Sequence, residues 1–217
     1  MSRFLEYVPL PDEFLGKMEA EPSLYLRVNT LKTSIVALKS RLAEKGFVLR
    51  DTLLPEVFAV AGGQVSAGAT MEYMLGHYYI QDLSSCFAVD ALDVGDGQTV
   101  LDVAAAPGGK TTMIAQRMNN TGAIVAAEPS QSRTRSLIFN LARCGVSNTC
   151  IKRVRGEEVS SLGVKFDRVL LDAPCSCEGV IAKDARRKTS HSPSDVEFCS
   201  ARQESLIESA AGAVKKS

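Results

Sequence analysis

The chain has 217 residues, of which 45% are hydrophobic and 23% charged, an ordinary composition for a globular protein. Its 25 lysines and arginines balance its 25 aspartates and glutamates, which excludes a basic-tail nucleic-acid binder but allows a local basic groove. An uninterrupted apolar run of about 18 residues is absent, and the first residues lack a signal-peptide core. We therefore expect a cytoplasmic protein that does not span a membrane.

The first part of the chain contains short, mixed elements. Residues 24–29 alternate apolar and polar side chains, which predicts a strand. Thr33 and Ser34 are candidate N-caps for a helix that Gly46 ends. Residues 56–60 predict another strand. This pattern indicates a small α+β subdomain.

From about residue 74 onward, helices alternate with strongly apolar strands. The pattern predicts strands at 99–105, 123–128, 150–156 and 167–174, and helices starting near Ser84 and Ser85 and at 110–118, 130–144 and 203–214. Strands separated by single helices imply a parallel, doubly wound sheet with right-handed crossovers. We therefore predict an α/β chain with a subdomain at 1–73 and a doubly wound domain at 74–217. After the last helix no returning strand follows, so we expect the C-terminal strands of the sheet to be missing.

The first strand of the second domain ends in a glycine-rich turn at 104–110, the edge where open α/β sheets bind ligands. Gly108 and Gly109 would let the backbone approach a ligand closely, and the following helix would offer unpaired amides. The same turn could also be a plain strand-to-helix connection. If it binds a ligand, two kinds of site are open.

One possibility is a phosphate loop, since Gly109, Lys110 and Thr111 match the end of GxxxxGK[ST], although Ala104 occupies its first glycine position. The other is a nucleoside-cofactor site, which needs an acidic residue at the end of the next strand to hold the ribose hydroxyls. Glu128, 19 residues after Gly109, meets that requirement.

The fourth predicted strand of this domain leads into Asp172 and Cys175, which we expect at the same sheet edge as the glycine-rich turn. A thiol presented there could attack an electron-poor ring or an acyl group, although a lone cysteine is more often a small buried residue. A basic run follows, with Lys183, Arg186, Arg187 and Lys188 as candidate phosphate-backbone contacts or as an ordinary solvated face.

The chain has six cysteines, which we expect to be reduced thiols. They are Cys86, Cys144, Cys150, Cys175, Cys177 and Cys199. None forms a CxxC pair, and His77 and His191 lie far apart in sequence, so we expect no metal site.

Several collinear segments together resemble the Sun/Nop-type (RsmB-type) RNA cytosine-5 methyltransferases. They are LRVNTLK, YIQDLSS, LDVAAAPGGKTT, Glu128 with Arg133 and SLIFNLARCGVSN, LDAPCSCEG and RRKTSHSP, together with the helix from Gln203. The resemblance covers nearly the whole chain. It implies a Rossmann-like methyltransferase sheet, S-adenosyl-L-methionine as cofactor, and a cytosine in tRNA or rRNA as substrate, with the N-terminal subdomain facing the RNA. We further expect a monomer.

The resemblance also assigns residues to roles. The cofactor would lie against Ala104, Ala105, Ala106, Pro107, Gly108, Gly109 and Lys110. Glu128 would take its ribose hydroxyls, with Arg133 supporting that end, and Asp172 would lie between cofactor and cytosine. Cys175 matches a family cysteine that mainly assists product release.

Three features depart from the family pattern. The attacking thiol of the family belongs to a second cysteine turn after the next strand, and residues 1–217 contain no such turn, so we expect this chain to be weak or inactive. Cys177 replaces a usual glycine, and Arg155 replaces a usual Asp near the adenine, where Glu157 or Glu158 could substitute. A non-catalytic cofactor- and RNA-binding module and a phosphate-loop nucleotidase are the alternative functions.

Overall fold

The computed structural model describes residues 5, 7–19, 22–176 and 193–216. Helices are α1 (Pro11–Glu19), α2 (Ile35–Glu44), α3 (Met71–Met74), α4 (Leu83–Asp90), α5 (Gly109–Arg117), α6 (Gln131–Cys144) and α7 (Pro193–Ala213). Strands are β1 (Leu24–Val28), β2 (Val48–Asp51), β3 (Val57–Gly62), β4 (Tyr78–Ile80), β5 (Thr99–Asp102), β6 (Ala123–Ala127), β7 (Thr149–Lys152) and β8 (Arg168–Leu170). The predicted α/β class is confirmed.

The chain divides into two compact units. The smaller unit comprises Met1–Ser23 and Pro174–Glu204, and the larger comprises Leu24–Ala173 and Ser205–Ser217. Both sheets belong to the larger unit, which therefore contains the sheet edge predicted to bind a ligand.

The first sheet is antiparallel and has the strand order β2-β3-β1-β4. It reaches β4 at Tyr78–Ile80, whereas the sequence analysis expected the N-terminal subdomain to end at residue 73. Strands β2 and β4 were not predicted, because β2 is mostly exposed and β4 has only 3 residues, too few to show a period. The sheet is therefore larger than the sequence pattern indicated.

Helix α2 packs on this first sheet and begins where its cap was predicted. The Ser34 hydroxyl accepts a hydrogen bond from the Ala37 amide, and Gly46 follows the helix with a φ of +79°. Leu38 and Leu42 on the inner face of the helix are buried in a core with Phe58 from β3. The predicted cap at Ser34 and the predicted stop at Gly46 are confirmed.

The second sheet is parallel, with the order β7-β6-β5-β8, which confirms the doubly wound prediction. The direction of winding changes at β5, because β6 and β7 extend to one side and β8 lies on the other. Open α/β sheets bind their ligands at such a switch point. Strands β5 and β8 end at Asp102 and Leu170, earlier than predicted, because the chain leaves the sheet there to form the two turns at this edge.

The helices of the second sheet follow the predicted order with shifted ends. Helix α4 begins at Leu83 after Asp82, so Ser84 and Ser85, which were the predicted caps, lie within its first turn. Helix α6 was predicted to start at Ser130, and in the structure Ser130 is its N-cap and Gln131 its first residue. Helix α7 begins at Pro193, ten residues before the predicted start at 203. The sequence analysis missed its first turns because they are largely exposed and lack the apolar stripe on which the prediction relied.

Candidate active site

The glycine-rich turn lies at the switch point and is held by its neighbours. The Val103 amide donates to the Leu170 carbonyl of β8 at 2.9 Å, and the Ala105 amide donates to the Ala127 carbonyl of β6 at 3.1 Å. Gly108 has a φ of +106°, and an added Cβ there would lie 3.1 Å from Leu137 Cδ1 on α6. The position thus requires glycine both for its backbone conformation and for the close packing of α6.

A cleft of about 260 Å³ opens beside this turn. Residues 104–107, Gly109 and Lys110 form one wall, residues 79–82 with Ser85 form the other, and Asp172 also lines it. The wall at 79–82 was not among the predicted site residues. The YIQDLSS segment was its only signal, because the pairing of β4 with β1 brings this wall to the turn.

Lys110 and Asp172, both predicted, form an ion pair in the cleft. Lys110 Nζ lies 2.6 Å from Asp172 Oδ2 and also donates to Ser85 Oγ at 3.3 Å. The side chain of Lys110 is 17% exposed and that of Asp172 56% exposed, so the carboxylate faces the open part of the cleft. Lys110 thus holds the Asp172 carboxylate in place, where it can accept a hydrogen bond from a polar ligand in the cleft.

Asp102 is a buried carboxyl group beneath the turn that the sequence analysis did not select. It is 1% exposed, and Thr111 Oγ1 donates to its Oδ2 at 2.7 Å. Burial raises the pKa of Asp102 to about 6, against the opposing effect of the Thr111 hydrogen bond. A single Asp within the apolar strand 99–105 was the signal that could have identified it.

Glu128 lies at the end of β6, as predicted, and is 1% exposed. Its Oε1 accepts from the Ser130 amide at 2.8 Å. Its Oε2 lies 3.3 Å from Arg133 Nη1 and has no hydrogen-bond partner among the described residues. Arg133 also donates to the Ala106 carbonyl at 2.7 Å, so it joins the glycine-rich turn to Glu128.

The structure thus brings together residues 104–110, Glu128, Arg133 and Asp172. Cys175 belongs to the smaller unit, where its side chain is exposed, and its grouping with Asp172 stays a prediction. The predicted RNA contacts and one further cysteine lie outside the described residues: Lys183, Arg186, Arg187, Lys188 and Cys177.

Arg155, which replaces the usual family Asp, follows β7 and precedes the 3-10 turn Gly156–Leu162. Its Nε donates to Glu158 Oε1 at 2.9 Å. Glu158, which could substitute for the missing Asp, is therefore already paired with Arg155.

Within the described residues, no group of three or more His, Cys, Asp or Glu side chains is placed to hold a metal ion. None of the helices in the described part of the chain is long and apolar enough to cross a membrane.

Comparison with known proteins identifies one family. The profile of the family "16S rRNA methyltransferase RsmB/F" matches residues 89–217. The "28S rRNA (cytosine-C(5))-methyltransferase" of Mus musculus is 41% identical over 219 residues, covering 99% of this chain and 28% of that protein. The "Ribosomal RNA small subunit methyltransferase F" of Escherichia coli O157:H7 is 42% identical over 213 residues, covering 94% of this chain and 44% of that protein. The chain spans less than half the length of these curated relatives.

Solved structures agree with this grouping. A methyltransferase homologue from Pyrococcus horikoshii superposes with a TM-score of 0.83 and 37% identity, covering 92% of this chain and 63% of that one. The fold of this chain is therefore shared with a solved methyltransferase homologue.

Proposed function

The chain belongs to the RsmB/F family of 16S rRNA methyltransferases, and on that premise we propose that it acts in methyl transfer from S-adenosyl-L-methionine to carbon 5 of a cytosine in RNA. The observation that carries the proposal is the cleft at the switch point, with its small-residue turn on one wall and a buried acidic residue at the next strand end. The ribosomal RNA relatives favour rRNA over tRNA as the substrate class.

The residues at the turn fit an adenosine-type cofactor. Glu128 Oε2 is buried and lacks a hydrogen-bond donor among the described residues, and ribose hydroxyls would supply donors. Ala104, Ala105 and Ala106 leave room for a ligand beside the backbone. When bound, S-adenosyl-L-methionine would supply an electrophilic methyl group.

The same residues do not favour a nucleoside triphosphate. Lys110, the phosphate-binding residue of a phosphate loop, is paired with Asp172 at 2.6 Å. Ala104 replaces the first glycine of that motif, and the carboxylate of Glu128 would repel phosphate oxygens near the turn. We therefore favour the nucleoside-cofactor site over the phosphate loop.

Asp172 and Lys110 would act on the cytosine. Carbon 5 of cytosine is a poor nucleophile, and addition of a thiolate at carbon 6 makes it reactive. Protonation of ring nitrogen 3, or a hydrogen bond donated to it, with Asp172 supplying the proton, would favour that addition, and Lys110 holds the Asp172 side chain in place. After the methyl group is transferred to carbon 5, a proton is lost from carbon 5 and the thiol is expelled from carbon 6. Because the ring must enter the cleft, single-stranded or looped RNA is the easier substrate.

Cys175 is the candidate thiol at this site, with a role in product release or in the attack itself. Lys183, Arg186, Arg187 and Lys188 follow it in sequence and would contact the RNA backbone. The monomeric state and the cytoplasmic location stay predictions.

Two measurements test the proposal. Calorimetry should detect binding of S-adenosyl-L-methionine and no magnesium-dependent binding of ATP, and the opposite result would contradict the nucleoside-cofactor assignment. Tritium transfer from labelled cofactor to single-stranded, cytosine-containing RNA then tests chemistry, with Cys175→Ser as the variant and Cys150→Ser, an exposed cysteine on β7, as the matched control. Binding without transfer would identify a non-catalytic module.

A further inference from the structure

Arg27 on β1 is fully buried beneath the cleft. Its Nη1 donates to Gln81 Oε1 at 2.7 Å and to the Gly109 carbonyl at 2.8 Å, and its Nη2 donates to Thr112 Oγ1 at 2.8 Å. No carboxylate of the described residues makes an ion pair with it. A buried cation with only uncharged partners is costly, and a well-packed apolar side chain would fill the same space without that cost.

The partners of Arg27 lie on both walls of the cleft. Gln81 belongs to the wall that follows β4, and Gly109 belongs to the glycine-rich turn. One rigid guanidinium therefore hydrogen-bonds to both walls at once, and a third bond holds it to the next turn of α5. Its planar fork sets the separation of these acceptors more closely than a flexible ammonium could.

Contacts around Gly109 show how tightly the walls meet above Arg27. An added Cβ on Gly109 would lie 3.3 Å from Tyr79 Cε1 and 3.5 Å from Gln81 Cδ. The oxygen of the Gln81 amide accepts from Arg27, so its Nε2 has a defined direction, and this nitrogen is buried without a hydrogen-bond partner among the described residues. A small change in the position of Arg27 would thus move both walls.

We propose that Arg27 is a positioning residue that fixes the separation of the two cleft walls through Gln81 and the Gly109 carbonyl. This inference rests on the proposed function, since it concerns the same cleft. Arg27 lies beneath the walls, and its effect on a ligand passes through the residues it holds.

The first test measures cofactor binding with S-adenosylhomocysteine as the calorimetric probe. We expect Arg27→Met to weaken binding roughly tenfold or more, because hydrogen bonds from a charged group are lost on both walls. Arg27→Lys should recover little, since one ammonium lacks the fork that reaches all three acceptors. Arg117→Met is the matched control, because Arg117 lies at the other end of α5 and joins it to Glu56 and Asp90. It should lower the melting temperature while changing the dissociation constant less than about twofold.

A double variant tests the route of the effect. If Arg27 acts through Gln81, then Arg27→Met with Gln81→Met should bind the probe no more weakly than Arg27→Met alone. The proposal would be overturned if the affinity loss of the double variant equalled the product of the losses of the two single variants. It would also be overturned if Arg27→Met and Arg117→Met had the same dissociation constant.

A second readout uses no ligand and separates this inference from the proposed function. In the unliganded protein, amide hydrogen exchange at Gly109 and Lys110 should accelerate in Arg27→Met but stay unchanged in Arg117→Met. If the native chain binds no probe, yet exchange is faster in Arg27→Met and unchanged in Arg117→Met, the cofactor assignment fails and the positioning role stands. If the native chain binds the probe and exchange is the same in both variants, the positioning role is wrong.

Discussion

Replacing Asp102 with Asn should stabilise the protein at neutral pH. Burial raises the pKa of Asp102 from an ordinary 3.8 to about 6, so the folded state favours the protonated acid. The contribution of this group to stability is complete below pH 4 and is lost as the pH rises through 6. Each pKa unit corresponds to about 1.4 kcal/mol, so a shift of about two units makes ionisation cost the folded state roughly 3 kcal/mol at pH 7.

Asn cannot ionise, and its oxygen can still accept the hydrogen bond from Thr111. Urea unfolding of the native chain and Asp102→Asn from pH 4 to pH 8 should give a difference in the free energy of unfolding that is near zero at pH 4. The difference should then grow to at most about 3 kcal/mol in favour of the variant. Two parallel pH curves would refute the burial argument.

Asp167→Asn is the control of opposite sign. Hydrogen bonds from Lys215 and Thr99 lower the pKa of Asp167, so its contribution to stability is present at neutral pH and is lost as the pH falls. The Asp167→Asn variant should therefore be less stable than the native chain at pH 7 and should approach its stability in acid.

Asp102, by contrast, is a destabilising carboxylate beneath the cleft. Its position agrees with the general placement of acids with perturbed pKa values at functional sites.

Three further substitutions test the site and its support. Glu128→Ala should lose about 1 to 3 kcal/mol of S-adenosyl-L-methionine binding by calorimetry, since the ribose would lose its buried acceptor, and an unchanged affinity would contradict that role. Gly108→Ala should lose about 1 kcal/mol or more of the free energy of unfolding, because its φ is +106° and the new Cβ would meet Leu137. Its urea midpoint should fall accordingly, and an unchanged midpoint would show that the turn can relax. Asn29→Leu should cost about 1 to 3 kcal/mol in the same assay, because the buried amide donates to the Gly76 and Cys144 carbonyls, and no loss would mean that these acceptors find other donors.

Local patterns in the sequence determined most of the helices and strands. Ser34 and Gly46 marked the ends of α2, and the apolar runs before Asp102 and Asp172 marked β5 and β8. These signals are local, because caps depend on a few neighbouring residues and a buried strand needs a continuous apolar run. The glycine-rich turn and Glu128 were predictable for the same reason: a βαβ connection places consecutive strand ends at one edge.

Only the tertiary structure decided which distant segments meet. Strand β4 was too short to predict, yet its pairing with β1 carries Gln81 to the glycine-rich turn. Nothing in the sequence distinguishes Arg27 from the other charged residues. In the structure it donates to three acceptors at sequence separations of 54, 82 and 85 residues. Asp102 gains its raised pKa from burial, which depends on the elements packed around β5. Sequence periodicity reports only the face that a residue occupies on its own element. The second wall of the cleft and the charges beneath it depend on contacts between elements distant in sequence, such as those of Arg27 on β1 with Gly109 and Thr112 of α5.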